Sequence, residues 1–129
     1  MVTGGSGFLG RNLQDIVEAI KRNELDMPGR LKDTVTFLKS TRFVFLGSKD
    51  GDLRDLKQVE AIFENYKPTY VIHLAARVGG LFANMQDKVG FYEDNMTINL
   101  NVVKCCHQFK VKTLLSALST CIYPDNYRP

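Results

Sequence analysis

A chain of 129 residues, 44% apolar and 24% charged, reads as one globular domain with room for a modest core and none for a second. Its formal charge of +3 is spread along the chain, which argues against a nucleic-acid surface, and no run approaches the ~18 apolar residues of a membrane span. The start has no charged-then-apolar signal pattern, and the three cysteines, Cys105, Cys106 and Cys121, have no zinc-site spacing, so we expect a soluble, reduced, cytoplasmic protein.

Met1-Val2-Thr3 is a short apolar strand that runs straight into Gly4-Gly5-Ser6-Gly7-Phe8-Leu9-Gly10. Glycines at Gly4, Gly7 and Gly10 suit a strand-to-helix turn: one for the tight bend, one for the approach of a pyrophosphate, one for close packing of helix on strand. The first N–H groups of the helix would face the anion. Leu9, Leu13, Ile16, Val17 and Ile20 then recur at helical spacing as far as about Arg22. From Asn23 to Thr41 the pattern breaks at Met27-Pro28-Gly29, and we expect a long surface connection with at most a short helix or strand.

Phe43 to Leu46 is a continuous β-forming run, as in a parallel strand covered on both faces. Leu56, Val59, Ile62, Phe63 and Tyr66 give a second helix, with Asp55 as a candidate N-cap and Lys67-Pro68 as its stop. Tyr70 to Ala76 is a third strand opening into a loop at Arg77-Val78-Gly79-Gly80; a long helix follows from about Asp87 to Phe109, with Ile98, Val102, Val103, Cys106 and Phe109 on one face. Thr113 to Leu118 is a fourth strand that delivers Ser119-Thr120-Cys121. Alternating strands and helices imply an α/β fold with a doubly wound parallel sheet, whose ligands lie at the carboxyl ends of the strands. The first strand looks cut short and the end at Pro129 follows a loop, so we expect a piece of a longer protein.

The second strand ends in Gly47-Ser48-Lys49, without a carboxylate where a ribose would need one, so Ser48 and Lys49 are candidate ligands of a 2′-phosphate and NADP(H) is favoured over NAD. Lys49 also reads as an ordinary surface lysine beside Asp50 and Asp52. Asp52-Leu53 would lie beside the adenine, with Asp52 equally suited to a turn. His73, inside an apolar strand, reads as a packed, hydrogen-bonded residue rather than a catalyst; Ala75, Ala76, Gly79 and Gly80 are small where bulk would block a cofactor. Asn95 and Asn99 share a helix face, either as solvated groups or with one bound to backbone near an active site. Ser119 and Cys121 form a hydroxyl and thiol pair at a strand end, able to polarise a carbonyl and to remove a proton α to it, although Cys121 also fits as filling. Cys105 and Cys106 read as packing.

Thr3 to Gly10, Asp52-Leu53 and Val71 to Ala76 together resemble the successive signatures of the extended short-chain dehydrogenases/reductases, a Rossmann-like family. Arg77 to Asn84 and Leu118 to Pro124 resemble more narrowly its members that epimerise and reduce a GDP-linked 4-keto-6-deoxy sugar. The resemblance implies NADPH as cofactor, a GDP-sugar substrate, a cytosolic homodimer, and inversion at C3 and C5 before reduction at C4. It assigns Ser119 to the C4 carbonyl, Cys121 to acid/base work in epimerisation, Lys49 to the 2′-phosphate and Asn95 to the helix asparagine of the family. Gly4 to Gly10, Leu74, Ala75, Ala76 and Val78 fall to the cofactor, and Gly79, Gly80 and Asn84 to the sugar side. The family's Y-x-x-x-K pair does not occur in these residues, so the chain alone is expected to hold the cofactor half of the enzyme and to turn over nothing. Two other readings stay open: another extended nucleotide-sugar epimerase/reductase, with Cys121 incidental, and a non-catalytic NADP-sensing module.

Overall fold

The computed structural model describes residues 1–25 and 28–119. Four parallel strands, β1 (Val2–Thr3), β2 (Phe45–Leu46), β3 (Tyr70–His73) and β4 (Thr113–Ser116), lie in the order β2-β1-β3-β4. Val2 pairs with Phe45 on one side and Ile72 on the other, and His73 pairs with Ser116, so the strands end together at one edge. Among the described residues five α-helices join them: α1 (Phe8–Lys21), α2 (Lys32–Ser40), α3 (Leu56–Tyr66), α4 (Leu81–Gln86) and α5 (Lys88–Gln108). This is the Rossmann-like, doubly wound arrangement expected from the alternation of elements.

α3 and α5 cover one face of the sheet. Val59, Ile62 and Phe63 of α3 meet Val102, Cys105 and Cys106 of α5 over Leu46 and Val71, and this is the main apolar core. Right-handed crossovers then put α1 on the opposite face, where it buries Gly10, Val17 and Ile20. Asp55 caps α3 by accepting the Lys57 N–H at 2.9 Å, and Lys67, at φ 44°, turns the chain out of the helix before Pro68.

Several elements differ from the sequence reading. The strands are shorter because they depend on one another: Gly4, at φ +72°, takes the chain out of the sheet after Thr3, so β3 keeps one further bond, Leu74 N–H to Thr3 O at 3.2 Å, and then peels away. β4 follows it, with Ala117 N–H donating to His73 O at 3.1 Å as its last rung. The connection after α1 contains a 3-10 turn at Gly29–Leu31 and the nine-residue α2, whose Phe37 meets Tyr70 edge to face with centroids 5.8 Å apart. α4 is an additional short helix. On α5 the buried face carries Cys105 where Val103 was expected; Val103 is half exposed. Leu9 and Ile16 are likewise about half exposed, since α1 approaches the sheet along Gly10, Val17 and Ile20.

Candidate functional site

The carboxyl ends of the strands open into a cleft of about 950 Å3, within the range of small-molecule sites, roughly 300–1,000 Å3. Its head is the turn between β1 and α1. A Cβ on Gly4 would stand 2.7 Å from Ala75 N, and one on Gly10 would collide with the Gly4 carbonyl oxygen and lie 2.6 Å from Gly5 Cα. Backbone therefore packs on backbone here, and no other residue fits at either position. Gly7 has no side chain with which to cap α1, and the first turn carries no acid, so its N–H groups and the positive end of the helix dipole are left for an anion. This cradle suits a pyrophosphate.

Thr3, Gly4, Ser6, Gly7, Phe8, Leu9 and Gly10 line the head of the cleft; Ser48, Asp52 and Leu53 line the β2 side, and Leu74, Ala75, Ala76 and Val78 the β3 side. The sequence-derived cofactor residues thus converge on one space, with two exceptions among them. Gly5 packs against Phe45 and Leu46 behind the turn. Lys49 stands beside Ser48 in the turn after β2 and outside the cleft wall. In that turn the Asp50 carboxylate folds back to accept the Gly47 N–H at 2.7 Å. Gly79, Gly80, Asn84, Asn95 and Ser119 also lie outside the wall. Asn84 Nδ2 donates to the Gly79 and Gly80 carbonyls at 2.8 and 3.1 Å, tying α4 to the loop that precedes it. Ser119 is exposed just past β4 at the carboxyl edge of the sheet. Cys121 lies outside the described residues.

Helix α5 anchors the loops around the cleft through two polar rows. In one, Asn95 Oδ1 accepts the Arg77 N–H at 2.8 Å, while its Nδ2 donates to the Arg77 and Phe91 carbonyls. Of the two readings open for the asparagines, backbone binding is therefore the one realised by Asn95. One turn on, Asn99 Oδ1 pairs with His73 Nε2 at 3.0 Å, and His73 Nδ1 pairs with Thr3 Oγ1 at 2.6 Å. His73 is 2% exposed, and burial holds its pKa below the ordinary value although the bond to Asn99 opposes this. It is a packed, bonded core residue. In the second row Asn101 Nδ2 donates to the Leu53 and Arg54 carbonyls, both at 3.0 Å, Ile98 lines the cleft, and Asp94 pairs with two arginines.

The pairing of those arginines with Asp52, Asp87 and Asp94 was not legible in the sequence. Arg54 is bidentate on Asp52 and reaches Asp94 at 3.2 Å; Arg77 reaches Asp94 at 3.1 Å and Asp87 at 2.8 Å, with its guanidinium 4.2 Å from the Phe91 ring centroid. Arg54 holds the Asp52 carboxyl below its ordinary range, and Arg77 does the same to Asp87. Residues 54, 77 and 94 are too far apart in sequence for any local pattern to join them; the available signal was the spacing of Asp94, Ile98 and Asn101, which sets one polar-edged row on α5. The Cys105 and Cys106 thiols are buried, and burial raises both pKa values, that of Cys106 to about 11, in keeping with packing. Among the described residues there is no group of side chains that could hold a metal ion, and no helix is long and apolar enough to cross a membrane.

Residues 1–129 match the family described as the NAD dependent epimerase/dehydratase family. The chain is 44% identical over 126 residues to a GDP-L-fucose synthase of Dictyostelium discoideum, covering 97% of this chain and 34% of that protein. It is 38% identical over 125 residues to a probable GDP-L-fucose synthase of Drosophila melanogaster, with the same coverage of both. Among solved structures, a GDP-L-fucose synthetase from Naegleria fowleri bound to NADP superposes with a TM-score of 0.75 at 46% identity, covering 99% of this chain and 36% of that one. The chain spans about one third of the length of the curated relatives it matches.

Proposed function

Because the chain belongs to the NAD dependent epimerase/dehydratase family, we propose that it is the cofactor-binding portion of a GDP-L-fucose synthase, which epimerises C3 and C5 of GDP-4-keto-6-deoxy-D-mannose and then reduces C4. The observation that carries this is the glycine cradle at the head of the cleft, where Gly4 and Gly10 let backbone pack on backbone and the uncapped Gly7 leaves the first N–H groups of α1 to meet a pyrophosphate. It occurs in a chain 44% identical to an enzyme of that name.

In this reading NADPH lies along the cleft and supplies the reducing equivalent for C4. The first turn of α1 neutralises its pyrophosphate, Asp52 and Leu53 flank its adenine, and Ser48 with Lys49 takes the 2′-phosphate. Asn95 fixes the backbone at Arg77, and with it the entry to Val78, Gly79 and Gly80 between nicotinamide and sugar. Ser119 donates to the C4 oxygen. Cys121 moves the protons at C3 and C5, which the neighbouring ketone makes removable. The chain contains no Y-x-x-x-K, and we assign that pair, an epimerisation histidine and most of the GDP-sugar site to sequence beyond these residues. The 129 residues alone are then inactive.

The apolar row Val89, Tyr92, Met96, Leu100 and Val103, each half exposed or more, runs along one side of α5. From Val89 to Val103 this stripe is about 21 Å long, and we assign it to a second copy of the chain, giving a homodimer. A cytoplasmic location accords with a nucleotide-sugar substrate and unpaired thiols.

The test is to supply the intact protein with GDP-4-keto-6-deoxy-D-mannose in D2O, first without NADPH and then with it, and to analyse the sugar by mass spectrometry. Deuterium at C3 and C5 before reduction, lost in Cys121→Ser, and GDP-L-fucose after NADPH addition are the expected results. Full exchange in Cys121→Ser would favour another extended epimerase/reductase. NADPH binding without either reaction would favour a sensing module.

A further inference from the structure

The Asp94 carboxylate is shared between two arginines that belong to two different walls of the cleft. Arg54 comes from the loop after β2 and Arg77 from the loop after β3, and each reaches one oxygen of Asp94, at 3.2 and 3.1 Å. All three residues line the cleft. We propose that Asp94 is a positioning residue for the adenosine end of the dinucleotide site, a bridge that sets the spacing between the Asp52-Leu53-Arg54 loop and the Ala75 to Val78 loop. This rests on the dinucleotide reading given above.

Isolated surface ion pairs contribute little, because two mobile side chains must be immobilised to form them. Here that cost is already met on both sides. The Arg54 guanidinium is held by both oxygens of Asp52, and its backbone carbonyl is tied to Asn101 at 3.0 Å. The Arg77 guanidinium is held by Asp87 and lies over the Phe91 ring, while its backbone is clamped by Asn95. Asp94 itself is only 22% exposed. Two arginines, each held in place by other groups, therefore converge on one carboxylate.

The apolar surface under this bridge says which part of a dinucleotide fits there. Leu53, Ile62 and Ile98 line the cleft together with Arg54 and Asp94, and Ile98 lies one turn beyond Asp94 on α5. A flat purine between the two loops would bury its faces on these residues, while the anion is taken by the first turn of α1. Asp94 touches neither part of such a ligand by this argument. It acts through Arg54 and Arg77.

The experiment uses NADPH fluorescence titration on the intact protein, with adenosine 2′,5′-bisphosphate as a competing probe that carries only the adenosine end. Asp94→Asn is expected to weaken both ligands by the same factor, about fivefold to tenfold for two partly exposed pairs, with the melting midpoint of the free protein nearly unchanged. Asp94→Glu should recover part of the loss. Arg54→Gln, at an exposed side chain, should weaken binding alone but add nothing to Asp94→Asn. Equal affinities of wild type and Asp94→Asn, additive losses for Arg54→Gln and Asp94→Asn, or loss for NADPH without loss for the bisphosphate would each overturn the bridge while leaving the dinucleotide site intact. No NADPH binding by the wild type would overturn both.

Discussion

Asn95 grips the peptide of Arg77 from both sides, accepting its N–H at 2.8 Å and donating to its carbonyl at 2.9 Å. A side-chain amide thus takes the place of a neighbouring strand for a residue that has left the sheet, and it holds the backbone of the loop after β3 in register with α5. The third bond, to the Phe91 carbonyl at 2.8 Å, fixes the amide on its own helix.

Replacing Asn95 with Ala removes all three bonds and strands the partly buried N–H and C=O of Arg77. The expected loss of stability is about 2–3 kcal/mol, with amide hydrogen exchange accelerated at residues 77–80 and unchanged in the body of α5. Asn95→Asp keeps the acceptor only and should fall between the two. Identical exchange of 77–80 in wild type and Asn95→Ala would show that the loop is held by other contacts.

Gly10→Ala tests the cradle. Alanine improves helix propensity by about 1 kcal/mol, but its Cβ would collide with the Gly4 carbonyl and stand 2.6 Å from Gly5 Cα, both rigid backbone. Overpacking of this kind costs roughly 3 kcal/mol, so the net expectation is about 2 kcal/mol of destabilisation in urea unfolding. Gly29→Ala, where a Cβ meets nothing within 4 Å, is the control and should change stability little.

His73 gives stability a defined pH dependence. Its folded pKa is lowered from 6.5 by burial, so the unfolded chain binds the proton more tightly. The contribution of neutral His73 is fully present above about pH 6.5 and is lost as pH falls through that value toward the folded pKa, with a limiting slope of about 1.4 kcal/mol per pH unit. Urea melts at pH 7.5, 6.5 and 5.5 should record this loss, and His73→Asn should flatten the profile over that window. An unchanged slope in the variant would assign the dependence to other groups.

What the sequence disclosed and what it withheld divide along sequence distance. The turn from Gly4 to Gly10, the Asp55 cap and the four strands rest on neighbours within a few residues, and they stand in the structure where local chemistry put them. Strand lengths were overestimated because apolar runs such as Leu74 to Ala76 continue past the point where β1 leaves the sheet; a strand ends with its partner, and the partner is remote. α4 has no polar face to give it a period, and α2 shows only Val35, Phe37 and Leu38 as an apolar patch. Asp94 looked like one charge among many because Arg54 and Arg77 lie 40 and 17 residues away. His73 was legible as a packed imidazole, and backbone binding was one of two readings open for Asn95 and Asn99, but the partners of these side chains were not legible. Cys121 rests on sequence alone.

The strand order also sets a timetable for synthesis. β1 lies inside the sheet between β2 and β3, and the residues it pairs with, Ile72 and His73, follow it by 70 positions. At roughly 5–20 residues per second on the ribosome, Val2 and Thr3 wait several seconds before the strand on their second side exists. During that interval the turn has only its Gly5 side supported, by Phe45 and Leu46, because Leu74 and Ala75, which Gly4 packs on, arrive with the same strand. The nascent nucleotide site therefore waits for β3, although its glycine turn is made some 70 positions earlier.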